Sequence, residues 1–99
     1  MDIYSKSAKK FIRDTKRDYA VRGLVIESAD EHLINQIAYN IQDIERLDSD
    51  IYEIGTTFLD RFAQVKENPL IAEKIKKENL YFLQIRYLNE KLDIKEDKK

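Results

Sequence analysis

The sequence has no cysteine and contains only two glycines, one proline and one histidine among its 99 residues. Without cysteine there is neither a disulfide framework nor a thiolate metal site. The scarcity of glycine and proline leaves long stretches free of helix-breaking residues. We therefore predict one all-α domain over residues 1–99, with 1–3 and 94–99 frayed at its ends.

Long hydrophobic runs are also absent, because no apolar stretch approaches the roughly 18 residues that a membrane span needs. The N-terminus lacks the apolar segment of a signal peptide. A reducing compartment suits a chain without cysteine. We therefore predict a cytoplasmic protein with no membrane span.

Motifs for catalysis and for cofactor binding are missing as well. His32 is the only histidine and there is no cysteine, so the usual ligands of a metal-dependent hydrolase and the nucleophile of a thiol enzyme are missing. No glycine-rich loop is present to cradle a phosphate. The acidic residues within 43–53 lack the glycine and the terminal glutamate spacing of an EF-hand calcium loop. The sequence therefore predicts a protein that is not an enzyme and holds no metal or cofactor.

What the sequence does contain is a ladder of apolar residues at three- and four-residue spacing, here called the apolar ladder. Its members are Ile34, Ile37, Ile41, Ile44, Ile51, Phe58, Phe62 and Val65. They keep one heptad phase, in which only the positions of Asp48 and Gly55 lack an apolar residue. Such a stripe lies on one side of a helix and needs a partner surface, as in a coiled coil or a bundle.

The apolar ladder predicts a long second helix. Ser28 and Glu31 have the spacing of a capping box, so the helix is expected to begin there. The unbroken heptad phase favours a continuous helix over 28–67. Short polar side chains at 48–50 compete with helical hydrogen bonding, so a break at that point is the alternative.

Two further helices flank it. Residues 4–20 have an amphipathic pattern, and a third helix is expected over 70–93, because Asn68-Pro69 ends one helix and suits the first turn of the next. We predict an antiparallel bundle or hairpin of three helices with a long central helix. A four-helix bundle broken at 48–50 is the alternative.

Charge is distributed unevenly along the chain. Residues 1–24 carry seven basic and three acidic groups, whereas residues 25–53 carry one basic and eight acidic groups. Four of the basic residues recur on the side of the first helix opposite its apolar residues, and we call them the basic stripe: Lys6, Lys10, Arg13 and Arg17. Because such a stripe can neutralise phosphates, a nucleic-acid-binding accessory protein is one functional alternative.

The segment 80–88 has seven apolar residues in nine, so more than one side of the third helix is apolar. Either the helix packs between two others, or part of it binds a partner. The residues predicted to bind a protein partner are Tyr81, Leu83, Tyr87 and Leu88. On this basis we predict a non-enzymatic protein-interaction module, a small adaptor or inhibitor that forms a homo-oligomer. Its small size suits an origin in a phage or mobile element.

In length and helix content the chain is similar to two groups of small helical proteins. One is the secretion partners with a Trp-x-Gly turn, which Tyr52-Glu53-Ile54-Gly55 approaches without the tryptophan. The other is the bacteriocin immunity proteins, which are four-helix bundles. The resemblance implies an immunity-type or secretion-partner protein as a further alternative, and no motif assigns the chain to either group.

Overall fold

The computed structural model describes residues 4–55, 57–59 and 64–98. Three helices account for most of them: α1 (Lys6–Val21), α2 (Ser28–Ile54) and α3 (Pro69–Asp97). The helix α2 packs against both α1 and α3. The predicted all-α fold of three packed helices is therefore confirmed.

Ion pairs show that α3 runs antiparallel to α2. Asp30, near the start of α2, meets Lys91 near the end of α3, whereas Asp43 meets Lys77. The start of α1 lies beside the second half of α2, because the Ser5 N–H donates to the Gln42 side chain at 2.7 Å. Since both helices run antiparallel to α2, α1 and α3 run parallel to each other.

The predicted helix over 28–67 is not confirmed. The helix α2 passes through 48–50 without a break, but it ends at Ile54. Gly55 adopts a φ of 94°, which a right-handed helix does not allow and which glycine tolerates best. Two later members of the apolar ladder therefore do not continue its helical stripe. Phe58 and Val65 are in strands, and Phe62 lies outside the described residues.

A short antiparallel hairpin follows α2. Its strands are β1 (Thr57–Leu59) and β2 (Val65–Glu67), paired with Thr57 opposite Glu67. Asn68 closes the base of this hairpin: its Nδ2 donates to the Gly55 carbonyl at 2.8 Å, and its Oδ1 accepts from the Leu70 N–H at 3.0 Å. This buried side chain thus caps the start of α3 and binds the backbone at the residue that follows the end of α2.

The hydrophobic core lies where the end of α1, the start of α2 and the end of α3 meet. Its buried members are Tyr19, Leu33, Ile34, Ile37, Leu88 and Leu92. Burying each large apolar side chain contributes about 1.5–3 kcal/mol, so this cluster holds the three helices together. The third helix extends past the predicted end at 93 to Asp97, and Lys95 in this last turn is ion-paired with Asp30 of α2.

Candidate functional site

The four residues predicted to bind a partner differ in burial. Leu88 is only 4 % exposed and belongs to the core, so it is not part of an exposed face. Tyr81 is half-buried and packs against that core. Leu83 and Tyr87 are 62 % and 55 % exposed. Only these last two therefore remain fully available to a partner.

A row of exposed apolar side chains follows the outer side of α3, and we call it the outer stripe. Its members are Leu80, Leu83, Tyr87 and Ile94. Their spacing of three, four and seven residues places them along one side of the helix. At 1.5 Å per residue the stripe is about 21 Å long. This side of α3 has no covering element among the described residues.

A separate apolar groove opens between α1 and α3, above α2. It encloses about 480 Å³. Its lining residues, which define the groove, are Ser7, Lys10, Phe11, Asp14, Ile41, Ile44, Glu45, Glu78, Tyr81 and Phe82. The Tyr81 and Phe82 rings meet at a centroid distance of 5.7 Å and a tilt of 60°. Phe82 is 65 % exposed, so the groove wall on α3 is an accessible aromatic surface.

A buried polar cluster, which no sequence pattern indicates, connects the helices beside the core. Asp30 is fully buried, and its two carboxylate oxygens lie 3.0 Å from Lys91 Nζ and 3.0 Å from Lys95 Nζ. The Glu27 N–H donates to the same carboxylate at 2.9 Å. Asp30 thus replaces Glu31 in the predicted cap, and α2 is capped from Glu27 rather than Ser28.

The environment of this cluster shifts the pKa values of Asp30, Tyr19 and Lys95. Burial acts to raise the pKa of Asp30, but the hydrogen bond from Glu27 and the adjacent ammonium groups of Lys91 and Lys95 outweigh it, so the pKa lies below its ordinary value. Burial, followed by the nearby Asp30 charge, raises the pKa of Tyr19 to about 12. The Tyr19 hydroxyl is buried beside this carboxylate without a well-formed hydrogen bond. These groups keep their charge states across the neutral range.

Three acidic residues of α2, namely Asp30, Asp43 and Asp48, pair with lysines of α3. Asp43 lies 3.4 Å from Lys77, and Asp48 pairs with Lys74. The four basic-stripe residues are all exposed on α1. Arg13 lies 3.7 Å from its own neighbour Asp14. The basic stripe thus faces solvent on α1.

Comparison of the chain with models of protein families, with curated proteins and with solved structures finds no match. Among the residues that the structure describes, no group of three or more histidine, aspartate or glutamate side chains is arranged to hold a metal ion. No helix in the described ranges is long and apolar enough to cross a membrane. The candidate sites are accordingly the outer stripe, the groove and the basic stripe.

Proposed function

We propose that the chain is a non-enzymatic protein-interaction module, an adaptor or inhibitor, that associates with a second copy of itself through the outer stripe. The observation that supports this is the row of exposed apolar side chains on α3. Large apolar side chains aligned on one helix are typical of helix–helix contacts. The proposed setting is the cytoplasm, which a chain without cysteine suits.

The charges around the outer stripe favour a second copy as the partner. Both signs are present beside it, and Arg86 pairs with Glu90 at 3.6 Å. A surface of mixed charge meets its own copy without a strong single-sign repulsion. A short chain also buries a limited core, so association adds apolar burial that the monomer lacks.

The test removes two exposed members of the outer stripe. We expect the Leu83→Ala, Tyr87→Ala double variant to weaken self-association at least about tenfold, because aromatic and aliphatic anchors dominate such contacts. Light scattering across a concentration series measures the change. Circular dichroism should remain unaltered, since both side chains project outside the core.

A matched control is available on α2. Tyr52 is 90 % exposed and lies away from the outer stripe, so Tyr52→Ala should leave self-association unchanged. A strict monomer at all concentrations would refute the proposal. An equal loss in the Tyr52→Ala variant would also count against it, because the effect would then not belong to the outer stripe.

A second candidate function is nucleic-acid binding by the basic stripe. What favours it is that Lys6, Lys10, Arg13 and Arg17 are all exposed on α1. Two acidic residues of α2, Asp43 and Asp48, pair with α3 instead. Three of the basic-stripe residues lie opposite the apolar side of α1, and Lys10 also borders the groove. No aromatic side chain belongs to the basic stripe, so the expected binding is to phosphates and lacks base specificity.

Replacing all four basic-stripe residues by alanine should abolish retention on duplex DNA at low salt. In the unaltered chain, log affinity should fall with log salt by about 0.9 per phosphate contacted. A control variant removes the same charge elsewhere, at the exposed residues Lys66, Lys76, Arg86 and Lys98. If the two quadruple variants lose retention equally, or neither does, the basic stripe is not a binding site.

A further inference from the structure

We propose that the groove between α1 and α3 binds an amphipathic helix of a partner protein, one that carries lysine or arginine beside its apolar residues. The groove is a different surface from the outer stripe. It involves α1, α2 and the side of α3 that bears Phe82. The proposal therefore stands or falls separately from self-association.

The shape of the groove fits a helix. Its floor contains Ile41 and Ile44 of α2, and its walls carry Phe11 of α1 and Phe82 of α3. Two parallel helices on a third form an elongated trough, and a fourth helix laid in it completes a four-helix bundle. The volume of about 480 Å³ accommodates the apolar side chains that a docked helix presents at positions i, i+3 or i+4, and i+7.

The helices α1 and α3 approach each other closely at their C-terminal ends. There Arg22 Nη1 lies 3.1 Å from the Glu96 carboxylate, and Tyr19 is packed in the core with Leu92. The groove instead uses the first half of α1, at 7–14. A docked helix would therefore cover apolar side chains that the chain's own helices leave accessible.

The charge around the groove indicates the chemistry of the occupant. Three carboxylates, those of Asp14, Glu45 and Glu78, line it together with one ammonium group, that of Lys10. The excess is thus two negative charges. Glu45 already accepts from the Ser5 hydroxyl at 2.9 Å, which holds its carboxylate at the end of the groove. Basic residues on the flanks of the docked helix match this excess.

Two synthetic peptides test the inference directly. Both have leucines at i, i+4, i+7 and i+11 of an amidated 15-residue helix, and the remaining positions are lysine and alanine in one peptide and glutamate and alanine in the other. Fluorescence anisotropy at low salt measures their binding to the full chain. We expect the lysine peptide to bind at least about tenfold more tightly than the glutamate peptide, with the preference reduced at high salt.

Adjacent residues on α3 supply a matched pair of variants. Phe82 and Leu83 are 65 % and 62 % exposed, but Phe82 lines the groove and Leu83 belongs to the outer stripe. Phe82→Ala should weaken binding of the lysine peptide at least about tenfold, and Leu83→Ala should leave it within about twofold. Glu78→Gln should weaken it less, by about threefold, and only at low salt.

Every outcome decides the question. No binding of the lysine peptide, or equal binding of both peptides, overturns the inference. If Leu83→Ala weakens binding of the lysine peptide and Phe82→Ala does not, the peptide binds the outer stripe and the inference is also overturned. If Phe82→Ala instead abolishes self-association, the occupant is a second copy. If dodecanoate displaces the peptide from the groove at lower concentration than unlabelled peptide does, the occupant is a small apolar ligand.

Discussion

Replacing Asp30 by alanine should destabilise the fold by about 4 kcal/mol, because it removes a buried carboxylate from between two ammonium groups. Lys91 and Lys95 would keep their positive charges, partly buried and 3.0 Å from the vacated oxygens. Breaking a buried ion pair by removing one partner typically costs about 3–5 kcal/mol. The Glu27 N–H would also lose its acceptor. Urea unfolding followed by circular dichroism measures the loss.

Two further variants separate the charge from its surroundings. Asp30→Asn keeps the side-chain volume and an acceptor for the Glu27 N–H but removes the charge. It should therefore lose most of the stability that Asp30→Ala loses. Asp48→Ala breaks a second pair between α2 and α3, with Lys74, in which the carboxylate is 55 % exposed. It should cost at most about 1 kcal/mol, as exposed pairs do. Equal losses at Asp30 and Asp48 would show that burial does not determine the effect.

The same carboxylate should contribute to acid denaturation. Its pKa is lower in the folded chain than in the unfolded chain. Its stabilising contribution is therefore complete above the unfolded value of about 3.9 and is lost as pH falls through the folded value. In Asp30→Ala this part of the pH dependence should be absent, so the difference in unfolding free energy between the variant and the parent should narrow below about pH 4.

The sequence was sufficient to locate the part of α2 that faces the core, but not its end. Ile34 and Ile37 are fully buried, as the spacing of the apolar ladder requires. The same spacing continued to Val65, although the helix ends at Ile54. What stops it is the backbone of Gly55 together with a hydrogen bond from Asn68, thirteen residues away. Periodicity records side-chain spacing and carries no information about such a contact.

The candidate sites show a similar division. The composition of 80–88 correctly indicates that α3 is apolar on more than one side, but it does not indicate which side α1 and α2 cover. Leu88 and Leu83 are chemically alike, yet one is in the core and the other is exposed. The groove and the outer stripe are distinguished by the position of α1, because Phe11 of α1 forms one wall of the groove. No local pattern in the sequence of α3 indicates that α1 lies on that side.

The polar cluster was beyond sequence reasoning for a different reason. Asp30 and Lys91 are more than sixty residues apart, and charged side chains at helix ends are common on solvated surfaces. A spacing of four between Lys91 and Lys95 is equally ordinary. Only the packing of α3 against α2 brings Lys91 and Lys95 onto the buried Asp30 carboxylate. Ion pairs buried in this way favour one alignment of the helices over others.

Alkaline destabilisation through Tyr19 is the second large effect that we expect. Burial and the Asp30 charge raise the pKa of this phenol to about 12, against about 10 in the unfolded chain. A raised value means that the stabilising contribution is complete below pH 10 and is lost as pH rises towards 12. Two pKa units correspond to about 3 kcal/mol. Tyr19→Phe should therefore unfold less steeply with pH between 10 and 12.

At neutral pH the Tyr19→Phe variant should differ from the parent by less than about 1 kcal/mol, because the hydroxyl that it removes is buried without a well-formed hydrogen bond. The pKa of Lys95 is also raised, chiefly by Asp30, so both chains lose that contribution alike as the lysine deprotonates. Tyr52→Phe, at a 90 % exposed position, serves as the control and should change neither stability nor slope. If the curves of unfolding free energy against pH for Tyr19→Phe and the parent are parallel above pH 10, the pKa of Tyr19 is the same in the folded and the unfolded chain. Tyr19 would then not be the source of the alkaline loss of stability.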